Sequence, residues 1–177
     1  MTKSSIIVIG SGGHAKSIID LIRTNRDYKL VGLIGKTKDI NKDIIGCKVI
    51  GSDQDLEKIR RSVPNAVVAV GQIKNVKLRK NIFKLLKKYN YHTPKIISKY
   101  SYISDYSSIG DGTCVGHHVV INAAVKIGNN CILNSKCLKF TLPSKVIPPA
   151  DAVREIASSP VPASFTIVIV CELPASA

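Results

Sequence analysis

Apolar and polar positions along the chain follow two different rhythms, and the change between them falls near Pro94. Before it, short apolar runs alternate with helical periods. Ile6–Ile9 reads as a buried strand, and His14–Arg23 as a helix with Ile18, Ile19 and Ile22 on its inner face. Leu30–Ile34 reads as a second strand. Ser52 with Asp55 is a capping-box variant opening a helix through Arg60. Ala66–Val70 then reads as a third buried strand and Lys74–Tyr89 as a helix, whose apolar stripe is Ile73, Val76, Ile82, Phe83, Leu85 and Leu86. Alternation of this kind predicts a parallel sheet covered by helices.

After Pro94 the period is six. Ile97, Ile103, Ile109, Val115, Ile121, Ile127 and Leu133 recur at every sixth residue. Each is followed by a small or turn-forming residue: Ser98, Ser104, Gly110, Gly116, Asn122, Gly128 and Asn134. A third compact position recurs at Ser101, Ser107, Thr113, Val119, Val125, Cys131 and Cys137, expected near the corners. Neither helices nor hairpins have this period. A triangular β-solenoid does, with one hexapeptide per side and the aliphatic residue inside. Seven hexapeptides make a little over two coils. The period is lost at Lys139, with Lys145 and Asp151 at the next two aliphatic positions. Six of the eight prolines lie after residue 138, and Ser158–Ser164 reads as linker. The expected organisation is an α/β unit over 1–93, a partial β-helix over 94–138, and an atypical tail over 139–177 from a frameshift or fusion.

The net charge of +14, from 26 Lys and Arg against 12 Asp and Glu, allows nucleic acid, an anionic membrane surface or anionic small molecules as partners. The basic residues are spread out, as on ordinary solvated faces, so nucleic acid rests on net charge alone. The five cysteines form no C-x-x-C pair and no metal-like spacing with His, which suits a reduced, cytoplasmic compartment. No signal peptide stands at the N-terminus, and Phe165–Cys171 is far short of a membrane span.

The candidate chemistry begins at Gly10-Ser11-Gly12-Gly13-His14-Ala15-Lys16, directly after the first strand. Glycines let backbone approach a ligand closely, and a helix N-terminus offers free N–H groups and a positive dipole end to phosphate. Gly10, Gly12 and Ala15 also fit the dinucleotide fingerprint G-x-G-x-x-A. That fingerprint expects an acid at the end of strand two, where Ile34-Gly35-Lys36 offers none. An NAD(P)-dependent oxidoreductase is therefore disfavoured, and Lys36 is suited to a 2′-phosphate or a sugar-nucleotide phosphate. His14 either reaches the ligand, with its neutral form favoured by the dipole, or caps the turn at the surface. Lys16 faces the same mouth or solvent. Gly71 follows the Ala66–Val70 strand, at another strand end where ligands of open α/β sheets bind.

With the loop GSGGHAK (10–16), the strand end AVG (69–71) and the run VVINAAVKIGNNCILNS (119–135), residues 5–138 resemble the hexapeptide-repeat sugar acetyltransferases of the NeuD/PglD type. That family comprises sialic-acid O-acetyltransferases and bacillosamine-pathway N-acetyltransferases. The resemblance implies a Rossmann-like nucleotide-sugar domain, a left-handed β-helix that forms homotrimers, and acetyl-CoA held between subunits as co-substrate. It places Gly12, Gly13, His14, Gly35, Lys36, Gly71 and Asn122 at the substrate, with Gly35 and Lys36 standing where the family often shows acids. It also implies an acid–His pair at positions 140 and 141, the His acting as base. Those positions hold Phe140 and Thr141. His117 and His118, at a coil corner, have the residue type of a substitute base, or form a turn in solvent or at a subunit contact. His92 reads as structural. The implied activity is acetyl transfer to a nucleotide-activated amino sugar or a sialic acid, weak or absent in this chain. The alternative is a nucleotide-sugar-binding or regulatory protein without catalysis.

Overall fold

A computed structural model describes residues 3–71 and 76–136 in full, and the backbone of 138–139. Expectations for Phe140, Thr141 and the rest of the tail lie outside the described residues, as do Cys137, Ile73 and Lys74.

The N-terminal unit runs β1 (Ser4–Ile9), α1 (Gly13–Asn25), β2 (Tyr28–Ile34), a 3-10 turn (Thr37–Asp39), β3 (Val49–Gly51), a second 3-10 turn (Asp53–Asp55), α2 (Leu56–Arg60), β4 (Asn65–Val68) and α3 (Lys77–Lys88). The sheet is parallel, in the order β3-β2-β1-β4. This is the Rossmann-like arrangement the alternation predicts. Strand β3 was not anticipated. It is three residues long and lies at the sheet edge with Ile50 41% exposed, so it lacks the continuous apolar run of β1. The capping box at Ser52 and Asp55 forms, yet it opens on a 3-10 turn before α2 begins at Leu56. Ile6, Ile7, Val8 and Ile9 of β1 are buried on both faces, with α1 against one and α2 and α3 against the other.

Eight two-residue strands follow, β5 (Ile96–Ile97), β6 (Tyr102–Ile103), β7 (Ser108–Ile109), β8 (Cys114–Val115), β9 (Val120–Ile121), β10 (Lys126–Ile127), β11 (Ile132–Leu133) and β12 (Leu138–Lys139). They form three parallel sheets, β5-β8-β11, β6-β9-β12 and β7-β10, in which Ile97 pairs with Val115, Val115 with Leu133, Ile103 with Ile121 and Ile109 with Ile127. Each turn of chain therefore consumes three hexapeptides. Val115, Ile121, Ile127 and Leu133 fill one interior with Val119, Val125 and Cys131, and Ile97, Ile103 and Ile109 pack against it. The third compact position thus points inward. The corners belong to Gly112, His118, Ala124, Asn130 and Lys136, all at positive φ between 54° and 68°. The residue after each aliphatic is small because the next coil passes over it. A side chain at Gly116 would meet the backbone nitrogen of Ser135 at 2.7 Å.

The two units share a core. Ile96 and Cys114 join the cluster beneath α1. Arg79 of α3, 1% exposed, donates from Nη1 to the carbonyls of Val68 (2.8 Å) and Val70 (3.0 Å) and from Nε to that of Asn130 (3.0 Å). One guanidinium thus ties the end of β4 to a corner of the coil region.

Candidate functional site

The carboxyl ends of β1, β2 and β4 and the turn after β3 border a cleft of about 1030 Å³. Its rim continues the sheet: the N–H of Gly10 donates to Ile34 (2.7 Å), that of Gly35 to Gly51 (3.0 Å) and that of Ala69 to Ile9 (2.7 Å). Gly10 has φ +124°, and a side chain there would lie 3.1 Å from the backbone of Ala69. Gly12 and Gly13 have a different reason to be glycine. Nothing lies within 4 Å of where their side chains would stand, so the freed space belongs to the cleft. Gly12 caps α1 without a side-chain hydrogen bond, and the first turn carries no acid. The N–H groups and dipole of a 13-residue helix therefore face the cleft unneutralised.

Gly12, Gly13, His14, Gly35, Lys36 and Gly71 all line this cleft, so the structure brings together six of the seven residues singled out for substrate. Asn122 is the exception and lines neither this cleft nor its neighbour. Lys16 is exposed outside both. The structure adds Lys38, Asp39, Lys42, Ser52, Asp53 and Gln54. Asp39 is neutralised by Lys42 at 2.6 Å. Burial pushes the Asp53 carboxyl above the usual carboxylate range, with no cation offsetting it.

His14 is not a surface cap. It lies between the cleft and a smaller hollow of about 140 Å³ formed by α1 and the coil region. Burial, and then repulsion from Arg79, lower its pKa to about 4, so the ring is neutral at pH 7. Its Nε2 is buried without a hydrogen-bond partner among the described residues. The hollow is also lined by Asp20, His117, Asn134 and Ser135. Asn134 occupies the same hexapeptide position as Asn122, two repeats later, and that later repeat is the one facing α1.

His117 is held at both nitrogens. Ser98 Oγ accepts the N–H of Tyr100 (3.1 Å), leaving its hydroxyl to donate to Nδ1 (2.6 Å), while Nε2–H donates to Asp20 (3.2 Å). The connectivity is that of a nucleophile triad, but Ser98 is 1% exposed and cannot meet a substrate. With both nitrogens engaged, His117 has no free lone pair for a general base. His118 is a positive-φ corner stacked on Tyr100, and His92 serves through its backbone, bonded to Pro64 and Ala66. Among the described residues no cluster of His, Cys, Asp or Glu could hold a metal, and no helix is long and apolar enough to cross a membrane.

Residues 5–86 match the PglD N-terminal domain. No curated protein matches the sequence at a significant level. Among solved structures, the chain is similar to a histidine-to-asparagine variant of perosamine N-acetyltransferase from Caulobacter crescentus, in complex with CoA and GDP-perosamine. The TM-score is 0.70 at 25% identity, covering 77% of this chain and 63% of that one. It shares its fold with PerB from the same organism, also bound to CoA and GDP-perosamine (TM-score 0.69, 24% identity, 77% and 63% covered). It shares it too with the acetyltransferase domain of PglB from Neisseria gonorrhoeae FA1090 (0.64, 24%, 77% and 67%). The chain thus spans under two thirds of the perosamine enzyme's length. Over residues 5–86 the likeness is to the PglD N-terminal domain, and the perosamine enzyme extends the likeness in fold across 77% of the chain.

Proposed function

We propose that the chain binds a nucleotide-activated amino sugar in the cleft between β1, β2 and β4, as the first half of an acetyl-CoA-dependent acetyltransferase architecture. The observation that carries the reading is the uncapped N-terminus of α1, opening through Gly12 and Gly13 into a cleft lined by Lys36 and Lys38. Diphosphate oxygens accept from the first-turn N–H groups, and Lys36 offsets their charge. The sugar then extends past His14 toward Asn134. A neutral His14 borders the path of the sugar without adding charge. The coil region serves as the first turns of a left-handed β-helix on which subunits assemble as trimers, in a cytoplasmic protein. Sialic acid is the second acceptor class.

Chemistry is the part this chain lacks. Acetyl transfer needs a base with a free lone pair beside the attacking group. Phe140 and Thr141 supply none, and both nitrogens of His117 are already engaged. The proposed chain therefore binds sugar nucleotide but transfers acetyl groups weakly or not at all. Titration calorimetry with nucleotide sugars and a thiol-release assay with acetyl-CoA test the two halves. Binding with CoA release near background is expected. Brisk turnover overturns the second half, and absence of any nucleotide-sugar binding overturns the first. Sedimentation shows whether trimers form.

A further inference from the structure

The acid that a dinucleotide fingerprint expects at the end of β2 is absent, yet the cleft does contain a carboxylate without a partner among the described residues. It enters one strand further out. Edge strand β3 pairs with β2, Gly51 opposite Ile34, and the chain then turns at Ser52 into the 3-10 turn that carries Asp53 and Gln54 to the cleft wall. The three other acids nearby are occupied or absent from the lining. Asp39 is paired with Lys42, Asp55 accepts the backbone N–H and hydroxyl of Ser52, and Asp43 lies outside the cleft, accepting from Gly46. Among the described residues of the cleft, Asp53 alone is partly desolvated with no cation to offset it.

Its place in the sheet says which part of a nucleotide it meets. Order β3-β2-β1 puts the phosphate loop at the end of β1 and Asp53 beyond the end of β3. Two strand spacings are about 10 Å, the reach of a nucleoside from its diphosphate to its base. Gly35, at the end of β2, stands between them at the ribose. A carboxylate is an acceptor only. Guanine presents two adjacent donors, N1–H and N2–H, which a carboxylate accepts side by side. Uracil presents a single N3–H between two carbonyl oxygens, both repelled by the negative charge. Adenine and cytosine each offer one donor beside a ring acceptor. The Gln54 amide can donate to guanine O6 from the same turn.

We propose that Asp53 is the nucleobase-selecting residue of this cleft and that the cleft takes a guanine nucleotide in preference to a uridine nucleotide. The assignment rests on reading the cleft as a nucleotide-sugar site, and it goes further by naming the base and the residue that reads it. Titration calorimetry of the full chain with GDP, IDP and UDP tests it without any substitution. IDP keeps N1–H and lacks the 2-amino group. GDP is expected to bind about tenfold or more tighter than UDP, with IDP between them, since each charged hydrogen bond is worth about a decade. Asp53→Asn should bring GDP down to the level of UDP while leaving UDP within about twofold, on the same scale of one charged contact. Equal affinities for GDP and IDP, or a guanine preference that survives Asp53→Asn, overturns the assignment while leaving the nucleotide-sugar reading intact. No binding of any of the three overturns that reading as well.

Discussion

At the scale of single residues, His14 shows what burial does to a titratable ring. Its pKa in the folded chain is about 4, against 6.5 when unperturbed. The unfolded chain therefore binds more protons between those values, and folding stability falls as pH drops through 6.5 and levels off below 4. At full size the loss is about 3 kcal/mol. His14→Gln removes it, so urea unfolding of the variant should be flatter between pH 7 and pH 4 than that of the wild type. Glycines offer a second contrast. Gly12→Ala meets open space, so its stability cost is confined to a weaker N-cap, about 0.5–1 kcal/mol, while a methyl group in the cleft weakens nucleotide binding, read by calorimetry. Gly116→Ala meets the backbone of Ser135 and should lower stability by about 1–3 kcal/mol, leaving nucleotide affinity at most slightly changed. One pair of variants thus separates the two reasons for glycine.

At the scale of elements, pattern was legible wherever burial repeated. Strand β1 is buried on both faces and was plain as an apolar run, and the six-residue aliphatic period translated directly into stacked parallel strands. What escaped had no repetition to reveal it. Strand β3 is short and half-exposed, and without it the turn carrying Asp53 had no place in the cleft. Choosing between Asn122 and Asn134 required knowing which face of the coil packs on α1, a tertiary fact absent from any local pattern. Arg79 did leave a signal. It stands three, four and seven residues before Ile82, Phe83 and Leu86, on the buried stripe of α3. An arginine on an apolar stripe implies carbonyls waiting for it. Arg79→Met leaves three carbonyl groups without this donor and should destabilise the chain by about 3 kcal/mol or more in urea unfolding.

At the scale of the whole molecule, the α/β unit and the coil region fold as partners. The cluster under α1 includes Ile96 and Cys114, Asn25 bonds the carbonyl of Ile97 and the N–H of Lys99, and Asp20 bonds His117. Residue 93 is a boundary of pattern, where one period gives way to another, while packing crosses it without a break. Unfolding should accordingly be a single transition, with helical circular dichroism and the hydrogen-exchange protection of the coil strands lost over one range of urea.

The guanidinium of Arg79 holds the lip of the cleft and a corner of the coil in one grip. A molecule clamped at that point has no hinge there to swing on. Ligand discrimination then falls to the standing shape and charge of the walls rather than to closure around a guest, and the bound and empty forms should superimpose.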